Sequence, residues 1–209
     1  MGKMTDQQRM DFFLQERRTG LSDAQLKETV IGLLKENRVA HVLGCAQTSV
    51  ELAKLWGANR QDAYRAGMLH DVTKALPGEL QLTLCSKLGI LIDEFAQKNP
   101  KTLHAVTGAA IAQRVFGENE AVQAAIRSHT TGCGGMNTLQ KIIYIADYME
   151  PNRDFDGVEE LRRLAQTDLD KALEMGLQMS IGLLRQQGRE VCPDSLDALN
   201  DLEKEKIEC

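Results

Sequence analysis

The sequence predicts an all-α fold, a single-domain helical bundle of 209 residues. Apolar residues recur at intervals of three and four over most of the chain, which is the period of an amphipathic helix. Only four prolines are present, and no segment shows the alternation of apolar and polar residues that is typical of a strand. Hydrophobic residues make up 43% of the chain, which is enough for a sizeable core and excludes global disorder.

The net charge limits the kinds of partner that the chain can bind. At −5 it excludes a generally basic surface, so we expect no nucleic-acid partner held by bulk charge. Aromatic residues are only 4% of the chain, which leaves few platforms for stacking bases. No apolar run approaches the roughly 18 residues of a membrane span, so no membrane partner is expected either.

The cysteines indicate the compartment. There are five, an odd number, and no pair has the C-x-x-C spacing of a structural zinc site. The N-terminus is polar and charged, without the apolar segment of a secretory leader. We therefore expect a reduced, cytoplasmic protein whose cysteines are small buried residues or surface thiols.

The helices of the first half follow from periodicity and from the residues that interrupt it. Residues 1 to about 23 are polar and are predicted to form a flexible or loosely docked extension. Gly57 is predicted to end a long apolar helix, and Asn59 to cap the next one. The segments predicted to be helical are 26–34, 38–56, 60–70, 79–88 and 90–96.

The second half is punctuated in the same way. Asn99-Pro100 breaks the chain, Gly117 closes the following helix, and a glycine-rich loop follows residue 131. Pro151 stops the most apolar helix. The segments predicted to be helical are 102–116, 120–129, 139–149, 158–164, 169–187 and a charged piece over 195–205.

Two adjacent polar residues, His70 and Asp71, stand at the predicted end of an apolar helix. Neighbouring side chains on a regular helix point about 100° apart, so both reach one ion only if the helix ends there. Thr73 and Pro77 indicate that it does. Taken alone, the dipeptide is more typical of a surface histidine beside a surface aspartate.

Asp147 and His41 lie in other apolar helices. A carboxylate in the segment 141–149 is costly to bury unless a cation or several donors satisfy it, and the alternative is an exposed stripe with Lys141 and Tyr144. A lone histidine such as His41 is usually a core or boundary residue. With His70-Asp71, however, the set offers two nitrogens and two carboxylates, which suits iron, manganese or zinc.

The spacing around these residues carries a family resemblance over about residues 33–200. The motifs are Arg38-x-x-His41-x-x-Gly44, Leu52-Ala53-x-x-Trp56-Gly57, Ala66-Gly67-x-Leu69-His70-Asp71-x-x-Lys74, His129-Thr130-Thr131-Gly132, Gly135-Met136, the segment 141–147, Pro151-Asn152-Arg153 and the segment 191–196. Together they resemble the HD-domain superfamily of metal-dependent phosphohydrolases, and within it the bacterial YqeK family. Cys192 stands where that family often has histidine.

The resemblance implies an organisation and an activity. Residues 1–30 would be an N-terminal extension of unknown role, 31–200 the HD-type phosphohydrolase domain, and 201–209 a charged tail. Members of the family hydrolyse diadenosine tetraphosphate symmetrically, so a dinucleoside polyphosphate substrate and an ADP product are implied. Whether the chain forms a homodimer is left open.

The resemblance also implies a ligand set. One divalent ion, with iron favoured over manganese or zinc, would be held by four residues, His41, His70, Asp71 and Asp147. Two further histidines, His104 and His129, are assigned to phosphate contact and catalysis. A second metal site at this pair is kept as the alternative.

Further residues are assigned to the substrate by the same resemblance. Lys74, which is also assigned to catalysis, Arg38 and Arg153 would bind phosphate oxygens, since guanidinium and ammonium groups suit that role. Thr130 would offer a hydroxyl or backbone donor. The segment assigned to the nucleotide pocket contributes Val191, Pro193, Asp194 and Ser195.

The predicted reaction is hydrolysis of a phosphoanhydride. The ion would lower the pKa of its bound water, and the resulting hydroxide would attack an inner phosphorus and expel ADP. Either His104 or His129 would protonate the leaving oxygen. The alternatives are another HD-type nucleotide phosphohydrolase or phosphodiesterase, a nucleotide-binding sensor without turnover, and a purely structural helical protein.

Overall fold

The computed structural model describes residues 4–207, with side chains as far as residue 204. That part of the chain forms twelve α-helices and no strand, so the all-α prediction is confirmed. The helices are α1 (Asp6–Gln15), α2 (Asp23–Leu33), α3 (Glu36–Trp56), α4 (Arg60–Leu69), α5 (Gly78–Leu88), α6 (Glu94–Lys98), α7 (Leu103–Ile111), α8 (Glu120–Ser128), α9 (Thr138–Met149), α10 (Val158–Thr167), α11 (Leu169–Gln186) and α12 (Pro193–Ile207). None of these helices has the length and apolar character needed to cross a membrane. Residues 208 and 209 of the predicted tail lie outside the described residues.

Most predicted boundaries agree with the structure because their capping residues act locally. Gly57 ends α3 in the left-handed conformation, with φ of 71°, and Asn59 caps α4 by accepting the backbone N–H groups of Gln61 and Asp62. For the helix predicted over 90–96, the predicted first residue is wrong. The helix begins only at Glu94, since Asp93 accepts the N–H of Ala96 and fixes the first turn there.

The predicted helix over 102–116 is one continuous rod of three helical types. A 3-10 turn, Pro100–Thr102, leads into α7, and a π-helix, Ala112–Phe116, follows it. Gly117 closes the rod with φ of 73°, as the sequence predicted. His104 lies in the first turn of α7, so the rod carries one of the predicted site residues.

The N-terminal segment is docked, and the expectation of a flexible or loosely docked extension is wrong for residues 6–15. A capping box of Thr5 and Gln8 begins α1. Phe13 is completely buried in the core, and Arg9 is only 4% exposed. The Arg9 guanidinium donates to the carbonyl of Leu33 at 2.7 Å. Most residues of α1 are polar, which is why composition suggested an extension.

The core is built around α3, α4, α8 and α9, with the other helices packed outside them. The closest approach is between α3 and α4. A Cβ atom added to Gly67 of α4 would lie 2.7 Å from the Cα of Ala46 in α3. This contact sets the distance between the helix that carries His41 and the helix that ends at His70.

Gly67→Ala is expected to lower the free energy of unfolding by about 1–3 kcal/mol, because the added methyl group meets backbone that has to shift. Gly182→Ala in α11 is the matched control, since a Cβ there meets nothing within 4 Å. That control is expected to be neutral or stabilising by up to about 1 kcal/mol. Urea unfolding measures both changes, and equal effects would contradict the role assigned to the close contact.

Candidate functional site

The turn after α4 places His70 and Asp71 side by side in the interior. The helix ends at Leu69 and residues 70–76 form successive turns, as the sequence predicted. His70 is completely buried and Asp71 is 1% exposed. The unwound backbone lets both side chains face the same centre, which a continued helix would prevent.

A first cluster joins His41, His70, Asp71 and Asp147. His41 Nε2 lies 3.2 Å from His70 Nε2 and 3.0 Å from Asp147 Oδ1. Asp71 Oδ2 lies 3.6 Å from His70 Nε2 and 3.8 Å from His41 Nε2. The alternative that Asp147 lies on an exposed face of its helix is therefore wrong, because the Asp147 carboxylate faces the histidines and Tyr144 is buried.

A second cluster joins the other carboxylate oxygen of Asp71 to His104 and His129. Asp71 Oδ1 lies 3.3 Å from His104 Nε2 and 3.7 Å from His129 Nε2, and the two Nε2 atoms are 3.1 Å apart. Thr130 Oγ1 lies 3.1 Å from each of these nitrogens. Asp71 therefore lies between the two clusters and presents one oxygen to each.

The ring tautomers follow from the hydrogen bonds at Nδ1. These nitrogens of His70, His104 and His129 lie 2.6–2.7 Å from backbone carbonyls, which only accept, so each Nδ1 carries the proton. Burial lowers the pKa of His70 to about 4. Burial, the ammonium of Lys74 and the neighbouring His129 ring also hold the pKa of His104 well below its usual range. The neutral rings of His70 and His104 therefore turn the lone pairs of Nε2 toward the centre.

These features fit a bound cation in each cluster. Asp71 Oδ1 is buried and makes no hydrogen bond. Burial acts to raise the pKa of the Asp71 carboxyl, but the neighbouring imidazoles of His70, His129 and His104 and the ammonium of Lys74 hold it well below its usual range. A buried carboxylate facing nitrogen lone pairs is costly without a positive charge between them. The ligand atoms of His41, His70 and Asp71 lie within 4.8 Å of one another, as do those of Asp71, His104 and His129.

The three predicted phosphate-binding cations surround this centre. Arg38 pairs with Asp71 Oδ2. Arg153 Nη2 donates to Asp147 Oδ1 at 2.8 Å, and Lys74 Nζ lies 2.9 Å from His104 Nε2. Their side chains are 27–39% exposed, whereas those of the histidines are at most 8% exposed. The cations therefore lie between the buried ligands and solvent.

The segment 191–195 contacts the loop that follows His129. Ser195 Oγ donates to the carbonyl of Thr131 at 2.7 Å, which ties the start of α12 to the loop after His129. Asp194 lines a cavity of about 170 Å³ that also includes Leu103 and Thr131. Val191 and Pro193 are not among the residues that line this cavity.

Sequence reasoning missed the buried residues that support the ligands. Glu150 is 1% exposed, and its Oε1 lies 3.1 Å from His41 Nδ1. Its position directly before Pro151, at the end of an apolar helix, was the available indication. Thr73 Oγ1 donates to the carbonyl of His104 at 3.1 Å, and Gln81 Nε2 donates to the carbonyl of Thr73 at 2.7 Å. The first bond joins the turn after α4 to α7 and the second joins it to α5, and no short motif marks them.

The buried histidines predict a pH dependence of stability in metal-free protein. The folded state holds the pKa of His70 at about 4, against 6.5 ordinarily. Between these values the unfolded chain binds a proton that the folded chain does not, so stability falls as the pH falls through this window. His70 contributes at most about 3 kcal/mol to the change. Urea unfolding of chelator-treated protein at pH 7.5 and 4.5 measures it, and a flat profile would contradict the assignment of neutral buried rings.

Comparison with known proteins agrees with this geometry and confirms the resemblance. The HD domain family model matches residues 38–152. The symmetrical bis(5'-nucleosyl)-tetraphosphatase of Bacillus subtilis (strain 168) is 39% identical over 171 residues, covering 80% of this chain and 90% of the relative. The enzyme of the same name from Staphylococcus aureus (strain NCTC 8325 / PS 47) is 34% identical over 172 residues, covering 80% and 87%. The crystal structure of an HD superfamily hydrolase from Clostridium acetobutylicum, described as involved in NAD metabolism, has a TM-score of 0.85 and 37% identity, covering 88% of this chain and 98% of that chain. This chain belongs to the HD-domain family and, within it, to the symmetrical bis(5'-nucleosyl)-tetraphosphatases.

Proposed function

We propose that this chain hydrolyses diadenosine tetraphosphate symmetrically to two ADP. The observation that carries the proposal is the position of Asp71, whose two carboxylate oxygens face two histidine pairs. Such a centre suits metal-assisted hydrolysis of a polyphosphate. The names of the Bacillus and Staphylococcus relatives support this choice of substrate over other nucleotides.

We assign the metal ligands to both clusters. His41, His70, Asp71 and Asp147 would hold one divalent ion, and Asp71, His104 and His129 a second. Mixed nitrogen and carboxylate donors suit iron, with manganese and zinc as alternatives. A bound ion supplies an activated water and polarises phosphoryl oxygens. The second site is favoured over direct phosphate contact by Asp71 Oδ1, which makes no hydrogen bond and faces this histidine pair.

The chain's own cations orient the substrate. Arg38, Lys74 and Arg153 lie at the exposed side of the centre, where they would bind phosphate oxygens and offset the charge that grows on them during bond cleavage. Thr130 adds a hydroxyl between His104 and His129. The cavity beside Asp194 and Thr131 would accept part of a nucleoside.

The proposal is tested by product analysis under reducing conditions with added iron or manganese. Diadenosine tetraphosphate is expected to yield ADP as the only nucleotide product. A mixture of AMP and ATP would contradict symmetrical cleavage. Tight ADP binding without turnover would instead favour a nucleotide-binding sensor. A panel of nucleoside triphosphates and cyclic dinucleotides tests for another HD-type activity.

We also propose a cytoplasmic location. Supporting it, Cys45, Cys85, Cys133 and Cys192 are all free thiols, as expected in a reducing compartment, while Cys209 lies outside the described residues. Fractionation of cells followed by immunoblotting tests this assignment, and recovery in the membrane or secreted fraction would contradict it.

A further inference from the structure

A buried carboxylate that is not a metal ligand contacts the first cluster. Glu150 follows the last residue of α9, and its Oε1 lies 3.1 Å from Nδ1 of His41. We propose that Glu150 is a positioning residue, which holds the His41 ring in the tautomer and orientation that turn Nε2 toward the ion. The inference rests on the metal centre of the proposed function.

His41 needs this partner because of where it lies. The other three histidines stand at or near helix ends and donate from Nδ1 to the carbonyl three residues earlier, those of Gly67, Lys101 and Ile126. His41 lies inside α3, where the carbonyls are bonded within the helix. Its acceptor therefore comes from another element. A carboxylate forms a charge-assisted hydrogen bond and makes the ring a stronger ligand.

The second oxygen of the Glu150 carboxylate is held by hydrogen bonds from Asn152. Glu150 Oε2 accepts the backbone N–H of Asn152 at 2.8 Å and the Asn152 side-chain amide at 2.7 Å. The same side-chain amide donates to the carbonyl of Ala40 at 3.2 Å, which joins the turn to α3. Gly44 leaves the space, because a Cβ there would lie 2.3 Å from Oε2.

These contacts make Glu150→Gln a sharp test. With the amide nitrogen at the Oε2 position, its N–H groups face the two N–H donors of Asn152. With the amide turned, the nitrogen faces His41 Nδ1 and donates to it. The His41 proton then moves to Nε2, where it blocks a metal ion. Either arrangement loses a hydrogen bond that the carboxylate makes, although the side chain keeps its size.

Two measurements distinguish positioning from a merely structural role. The dissociation constant for Mn²⁺, measured by competition with a chelator, is expected to rise about 10–100-fold in Glu150→Gln. Two-bond ¹H–¹⁵N NMR of the metal-free protein is expected to show a proton on His41 Nδ1 in the wild type. In the variant the occupancy of that position is expected to fall, because the Asp147 carboxylate 3.0 Å from Nε2 competes for the proton. Glu118→Gln is the matched control, since Glu118 is a buried carboxylate that pairs with Arg65. It is expected to change neither quantity.

Gly44→Ala tests the same contact without changing a charge, and it serves if Glu150→Gln does not fold. The new methyl group displaces the Glu150 carboxylate, so Mn²⁺ binding is expected to weaken, whereas Gly182→Ala leaves it unchanged. Glu150→Gln with wild-type Mn²⁺ affinity and the proton still on His41 Nδ1 would overturn the inference. A wild-type protein that binds no Mn²⁺ would instead contradict the metal centre, and the NMR result would still report on Glu150.

Discussion

Asp71→Asn is expected to remove both metal ions and to lower turnover of diadenosine tetraphosphate by about 10³-fold or more. The reason is its place between the clusters. Oδ2 lies 3.6 Å from His70 Nε2, and Oδ1 lies 3.3 Å from His104 Nε2. The amide is neutral, so both clusters lose the negative charge of Asp71, and the cluster that meets the amide nitrogen faces an N–H group instead of an acceptor oxygen.

Single-cluster variants serve as the comparison. Asp147→Asn removes a proposed ligand of the first ion and His129→Ala one of the second, so each is expected to retain one ion per chain while losing most turnover. Elemental analysis after anaerobic purification measures the content, and titration with Mn²⁺ measures the affinity. Two retained ions in Asp71→Asn would contradict the bridging position of this residue.

Loss of fold has to be separated from loss of metal in this experiment. In metal-free protein, Asp71→Asn is expected to lose part of its stability, because Arg38 and Lys74 lose a buried carboxylate partner whose pKa the folded state holds well below its usual range. Metal content is therefore compared at temperatures where both proteins stay folded. A thermal melt in chelator provides the control. A large drop in melting temperature there would show that Asp71 supports the fold and not only the ions.

Local rules predicted the parts of this molecule that depend on neighbouring residues. The ends of α3 and α4 follow from Gly57 and Asn59, which act within their own turns. The four candidate ligands of the first cluster followed from combining rare polar residues in apolar helices with a family spacing. Their convergence itself needed α3, α4 and α9 to pack together, and no single motif contains that information.

The residues that support the ligands could not be predicted from the sequence for the same reason. Glu150 meets His41 across 109 positions of the chain, and Thr73 meets Thr107 across 34. Each is an ordinary polar residue in sequence, and its role appears only when another helix supplies its partner. The sequence also did not show that one aspartate faces both histidine pairs, which is the observation on which we propose a second ion at His104 and His129.

Phe13→Ala is expected to lower the free energy of unfolding by about 3–5 kcal/mol. Phe13 is completely buried although it lies in the segment that composition suggested was an extension. The segment is also held by hydrogen bonds to the π-helix beyond α7. The backbone N–H of Arg18 donates to the carbonyl of Val115 at 2.6 Å, and Arg114 Nη2 donates to the carbonyl of Leu14 at 2.7 Å.

The same experiment decides whether the N-terminal helix belongs to the catalytic domain. Leu91→Ala is the control, since that side chain is 99% exposed, and it is expected to change stability by less than about 0.5 kcal/mol. At temperatures where Phe13→Ala stays folded, its metal content is expected to equal that of the wild type, because Phe13 contacts no ligand. A loss of stability below about 1 kcal/mol would mean that α1 can undock while the rest of the core stays folded. A full loss would make α1 part of the same cooperative unit that holds His41 and His104 in place.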